Sequence, residues 1–269
     1  MADIKLELRQ NLFIRQPVPE KGIVCSNVQR ATRLASSYLL VEEKFSCSWG
    51  AEVWIGTYSP SVSDEKFFIA IAPVGSGSGL VFQELFSAGC KYLVRYGSDD
   101  VQNPEPQEYS TVKLIDEADN LYGFCQASGL PESEWGQSVQ ASSVLLDAFE
   151  REAKERHLSL DRRICHHLEN YHALRNPETY PNRKIILRKQ LESLKKKSCG
   201  KKESFDMESA VLFRVAVDSG RHAISILQTV HKEDSDCDPY EGRHGQEALE
   251  LEQKHFVDYI FQSLMRVRC

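Results

Sequence analysis

The chain has 269 residues, 41% of them hydrophobic and 27% charged, and a formal net charge of −6. That balance is ordinary for a globular protein and disfavours nucleic acid or an anionic membrane as a general partner. A local anion site needs only a few arginines, so a phosphate-bearing ligand stays open.

The N-terminal residues 1–7 are charged and lack an apolar signal core. No run reaches the ~18 apolar residues of a membrane span. The eight cysteines (Cys25, Cys47, Cys90, Cys125, Cys165, Cys199, Cys237 and Cys269) are evenly spread, with no CxxC pair. A zinc site is therefore not expected, and a reducing, cytoplasmic location is. A chain of this length can build its core without disulfides, and with no dividing linker residues 1–269 read as a single domain.

Gly22–Cys25 reads as a short strand, and residues 28–40 follow with apolar positions at helical spacing. Residues 46–58 alternate as an antiparallel strand or hairpin. Phe67–Ala72 is an unbroken apolar run, typical of a strand buried on both faces. Gly75, Ser76, Gly77, Ser78 and Gly79 interrupt it. Residues 80–88 then read as a helix that stops at Gly89, and Tyr92–Tyr96 as the next strand. Strand, helix, strand at this spacing predicts a βαβ unit and a parallel sheet. Further on, the pattern predicts strands over 111–115, 164–168 and 223–230. It predicts helices over 138–157, 209–217 and 246–267. The basic stretch 176–202, with its lysine cluster at 195–202, reads as a solvated helix and loop.

Several residues carry candidate chemistry. The Gly75–Gly79 loop sits between strand and helix, where bare amides and the positive end of a helix dipole suit an anion. A purely structural turn would look the same. Arg95, near the end of an apolar strand, needs an anionic partner, either a ligand or an internal carboxylate. Arg30 poses the same choice. Glu208 can accept from two ribose hydroxyls. Asp206 is either a helix cap or a second ligand. His166, His167 and His172 cluster without enough ligands for a metal. Tyr171 either stacks on a base or packs.

The order of these motifs resembles the nucleoside phosphorylase family. It runs from the Gly75 loop through Gln83-Glu84-Leu85 and Arg95-Tyr96-Gly97-Ser98 to Asp206-Met207-Glu208-Ser209-Ala210. The similarity is to the uridine phosphorylase and hexameric purine nucleoside phosphorylase branch. It implies a three-layer α/β/α fold around a mixed, largely parallel twisted sheet. It implies phosphate-dependent cleavage of a nucleoside N-glycosidic bond, yielding ribose 1-phosphate and free base. Inorganic phosphate would be the co-substrate and no cofactor would be needed. The partners implied are nucleoside and phosphate, in a homodimer or a hexamer built from dimers.

Carried over by residue, the resemblance gives phosphate to Arg30, Gly75, Arg95 and Ser98. Glu43 or Lys44 stands where an arginine from the neighbouring subunit is expected. The sugar falls to Met207, Glu208 and Gln10. The base falls to Tyr171, Arg175, His231 and Lys232, and a cation at His231 or Lys232 leans the substrate towards uridine. The implied catalytic set is Arg95, Glu208, His231 and Lys232. Four departures bear on activity: Ser26-Asn27-Val28 replaces a Gly-Asp-Pro turn, Glu43 or Lys44 replaces the expected arginine, Gln10 replaces a histidine, and Asp99-Asp100 follows Ser98. Extra acids there are expected to weaken anion binding. The alternative is therefore a catalytically weak or inactive nucleoside- or phosphate-binding protein on the same fold.

Overall fold

The computed structural model describes residues 14, 16–46, 52–59, 64–99, 111–170, 173–174, 177–197, 200–229 and 256–267. Strand β1 (Lys21–Cys25) is fully buried and leads into helix α1 (Val28–Tyr38). The inward stripe of α1 is Arg30, Ala31, Leu34, Ala35 and Tyr38, spaced as one helical face requires. A hairpin of β2 (Leu39–Ser46) and β3 (Glu52–Tyr58) follows, then β4 (Lys66–Ile71). The glycine loop forms a tight turn over Gly75–Gly77, and helix α2 runs from Ser78 to Ser87. Next come β5 (Tyr92–Asp99), β6 (Val112–Asp119), the short helix α3 (Gly123–Ala127) and the two-residue strand β7 (Val139–Gln140). Then follow α4 (Ser143–Glu155), β8 (Leu160–His167), α5 (Lys184–Lys197) and β9 (Lys202–Asp206). The described chain closes with α6 (Ser209–Asp218), β10 (His222–Thr229) and α7 (Asp258–Arg266).

All these strands belong to one mixed, mostly parallel sheet in the order β2-β3-β4-β1-β5-β10-β6-β8-β9, with β7 paired to β6. Strand β1 lies between β4 and β5, parallel to both. Helices cover both faces. On one, Tyr38 of α1 stacks with Phe261 of α7, and the Tyr259 hydroxyl of α7 donates to the Phe149 carbonyl of α4 at 2.9 Å. On the other, α2 crosses α6 closely enough that a Cβ at Gly79 would sit 3.0 Å from Val211. This is the three-layer α/β/α arrangement expected from the sequence.

The pleat of β5 separates these layers. Arg95 and Asp99 face the α6 side, where Arg95 meets Asp206 and Glu208. Tyr96 faces the α7 side and stacks with Phe256. The sheet also curls. β9, at one end of the strand order, returns to β5: Ser204 Oγ donates to Asp99 Oδ2 at 2.9 Å, and Phe205 N donates to Asp99 Oδ1 at 3.3 Å.

Four sequence expectations need correction. The helix expected over 138–157 begins only at Ser143, because residues 139–140 pair with β6. Arg95 does not end its strand, since β5 continues to Asp99. The strand expected over 111–115 runs on to Asp119. Lys202, expected at the end of the basic loop, instead opens strand β9, which is held in parallel register with β8.

Candidate active site

Four backbone positions converge where the sheet curls: the first turn of α1, the Gly75–Gly77 turn after β4, the end of β5, and the β9–α6 junction. Arg30 is buried on α1. Its Nη2 donates to Ser98 Oγ at 3.1 Å, and its guanidinium lies 4.8 Å from the Tyr96 ring centre. The backbone of Arg30 is fixed too, because its N–H donates to Asn27 Oδ1 at 2.8 Å. Asn27 is thus the N-cap of α1, within the Ser26-Asn27-Val28 turn.

Arg95 is 3% exposed. Its Nη1 pairs with Asp206 Oδ2 at 2.9 Å, and its Nη2 donates to Glu208 Oε2. Its Nε has no hydrogen-bond partner. The guanidinium folds back over Gly97, and a Cβ there would collide with Nη1. Burial opposes the charge, but the two carboxylates outweigh it and raise the Arg95 pKa further. In return, burial works against the Asp206 anion, yet Arg95 and the bonds from Ser209 hold its pKa below the ordinary value.

Asp206 serves the start of α6 from outside the N-cap position, which is Glu208. Its Oδ1 accepts from Glu208 N at 3.2 Å and from Ser209 N at 3.1 Å, satisfying donors at the start of α6. Glu208 is the carboxylate that reaches across: its Oε1 accepts from Gly75 N at 2.8 Å. Gly75 has φ +80°, a conformation that favours glycine, and the turn lies beside Met207, whose Cε would be 3.5 Å from a Cβ at Gly75.

Asp99 departs from its expected role. It is wholly buried, paired with Lys113 at 2.8 Å and 3.6 Å from Arg163 Nη1. Its charge is spent on closing the sheet, so it does not oppose an anion at Ser98. Asp100 lies outside the described residues.

Lys44 sits on β2, paired with Glu52 at 3.0 Å and 5.0 Å from the Trp54 ring. Within the single chain it therefore has its own partners, and Glu43 neighbours it on the same strand. Gln10, Tyr171, Arg175, His231 and Lys232 lie outside the described residues, as does His172.

A further trio adjoins the Gly75 turn. Ser76 Oγ donates to Glu169 Oε2 at 2.9 Å and lies 3.4 Å from His167 Nε2, which is 3.6 Å from Glu169 Oε1. Glu169 Oε1 also accepts from Gly123 N at 3.1 Å. The neighbouring His167 imidazole, more than offsetting burial, and the bonds from Ser76 and Gly123 bring the Glu169 pKa down to about 2. Sequence reasoning missed Glu169 as a site residue, although it stands two positions before Tyr171. Beside it opens a cavity of about 450 Å³ lined by Asn120, Tyr122, Asn170, Arg183 and Leu187 among others. His166 pairs instead with Asp119 at 2.6 Å. Among the described residues no three or more His, Cys, Asp or Glu side chains gather as a metal site, and no helix is long and apolar enough to cross a membrane.

No protein-family model matches the chain, and no curated protein matches it significantly. Solved structures do. Uridine phosphorylase from Vibrio fischeri ES114, complexed with 6-hydroxy-1-naphthoic acid, superposes with a TM-score of 0.69 at 18% identity, covering 93% of this chain and 92% of that one. A second structure of the same enzyme gives 0.67 at 17% identity, covering 93% of each chain. Helicobacter pylori MTAN gives 0.63 at 14% identity, covering 91% of this chain and 98% of that one. At these identities the likeness shows the fold alone, a three-layer α/β/α arrangement shared with those structures.

Proposed function

We propose that the chain cleaves the N-glycosidic bond of a nucleoside with inorganic phosphate, releasing ribose 1-phosphate and base, with uridine the leading substrate. One observation carries this reading. The carboxylate assigned to the sugar and the arginine assigned to phosphate are adjacent, and both are anchored to the Gly75 turn through Glu208. Similarity of fold to a uridine phosphorylase supports it.

On this reading Arg30, Ser98 and Arg95 hold phosphate beside Gly75 N. Glu208 orients the ribose hydroxyls with Met207 against the sugar. When those hydroxyls engage Glu208, Arg95 Nη2 becomes available to the phosphate. Phosphate then attacks the anomeric carbon of an oxocarbenium-like sugar, stabilised by preorganised charge. His231 or Lys232 offsets charge on the departing base. The cavity beside Glu169 falls within the size range of small-molecule pockets and leaves room for that base. No cofactor takes part. Lys44 serves a neighbouring subunit in a homodimer or a hexamer of dimers, in the cytoplasm.

One observation favours a second reading, a nucleoside-binding protein with little or no turnover. Arg95 is already neutralised by Asp206 and Glu208, so the site offers an incoming dianion little net positive charge. Product release from uridine, thymidine, inosine and adenosine, with and without phosphate, separates the two. Phosphate-dependent uracil release supports the first. Nucleoside binding with no product from any substrate supports the second.

A further inference from the structure

The Glu169 carboxylate joins three separate pieces of chain, and none of the roles assigned above uses it. Ser76 Oγ belongs to the glycine turn, Gly123 N to the start of α3, and Glu169 itself follows the end of β8. The adjacent residue in the turn, Gly75, presents its N–H to Glu208. The turn is thus held from two sides, by Glu208 through Gly75 and by Glu169 through Ser76. We infer that Glu169 is a positioning residue: it pins the Gly75–Gly77 turn so that the Gly75 amide stays aimed at Glu208 and the anion site. This inference rests on the proposed reaction for its kinetic consequences, but not for its structural ones.

Gly123 supplies an independent argument. Its φ is not positive, so backbone conformation does not demand glycine there. Space does: a Cβ at this position would stand 2.9 Å from Glu169 Oε1 and 3.3 Å from its Cδ. The glycine admits the carboxylate to the N–H. Alanine would push the flexible end of Glu169 aside at little cost to the fold, and as the first residue of a helix it is the better helix former. A purely structural view of Gly123 therefore predicts a neutral or stabilising change. The pin predicts a loss of function without a loss of stability.

The charge of Glu169 is separable from its geometry. Glutamine at 169 can accept from Gly123 N through its carbonyl and donate to Ser76 Oγ through its amide. It keeps both arms and gives up only the attraction to His167.

The test compares Glu169→Ala, Ser76→Ala, Gly123→Ala and Glu169→Gln in the full chain by three readouts: steady-state phosphorolysis, thermal midpoint, and hydrogen–deuterium exchange of the peptide spanning the turn. Glu169→Ala and Gly123→Ala should each lower kcat/KM by roughly 10–100-fold, the scale of a small misplacement at a preorganised site. Turn amides should exchange faster in both while the thermal midpoint of Gly123→Ala is unchanged or higher. Glu169→Gln should recover most of the rate and the protection. The Ser76→Ala, Glu169→Ala double variant should be no worse than the worse single, as expected when both act through one contact. Unchanged exchange at the turn in both Glu169→Ala and Gly123→Ala overturns the pin. If the wild-type chain cleaves no nucleoside, the proposed reaction fails, and the exchange measurement still decides the pin by itself.

Discussion

Arg95 lies so closely over Gly97 that no side chain fits between them. The guanidinium reaches Asp206 and Glu208 only because its own strand, two residues on, presents bare backbone. Gly97→Ala should therefore displace Arg95 from both carboxylates, costing about 1–3 kcal/mol of stability as an overpacked core position. It should also lower phosphorolysis by roughly 100-fold. Urea denaturation and the nucleoside assay check both, and a variant with native stability and rate would contradict this geometry.

Removing the cation itself should cost more. Arg95→Met leaves Asp206 and Glu208 buried without their shared partner, a change worth about 3–5 kcal/mol. Glu208→Gln keeps an acceptor for Gly75 N and should be milder. In the assay, Arg95→Ala and Glu208→Ala should each reduce turnover at least ~100-fold, the scale of one lost preorganised contact. Wild-type rates in either would sink the assignment of the site.

Acid should loosen the site in a defined window. The Glu169 carboxyl ionises at about 2, against an ordinary 4.5. A folded-state value below the unfolded one means that its contribution is complete above 4.5 and fades as pH falls towards 2. Asp206 acts in the same direction, below its own ordinary value of 3.8. Urea midpoints of wild type and Glu169→Gln should therefore differ near pH 6 and converge near pH 2. A gap of constant size across that range would refute the linkage.

Asn27 should matter beyond its exposure. It caps α1 through Arg30 N, so Asn27→Ala should cost about 1 kcal/mol while Asn27→Asp costs little. The same variant should weaken phosphate binding, measured by calorimetry, because the capped residue carries the Ser98-bonded guanidinium. Unaltered binding in a destabilised Asn27→Ala protein would separate the cap from the site.

Much of this arrangement was legible in the sequence. The inward stripe of α1, the apolar run of β4 and the glycine break before α2 all obey simple periodicity. The motifs around Arg95 and Glu208 identified the pair that the fold brings together. What stayed hidden has physical reasons. Strand β9 offers five residues, Lys-Glu-Ser-Phe-Asp, with one large apolar side chain between lysines and acids, too little for a period of two to show. Asp99 read as an extra acid beside the anion site because the groups that occupy it, Lys113, Arg163 and Ser204, come from other strands. Here it points to Lys113 on β6. Glu169 was passed over because its partners, Ser76 and Gly123, lie 93 and 46 residues away.

The curl that returns β9 to β5 also sets a timetable for folding. Arg95 meets Glu208 across 113 residues of chain, and Gly75 meets it across 133. Contacts of such separation are entropically slow to close. Until β9 docks, Arg95 has neither carboxylate, and the half-built sheet carries an uncompensated cation where the finished one is dry. Ligand-binding competence should thus appear in the final phase of refolding, after most of the helical signal has returned.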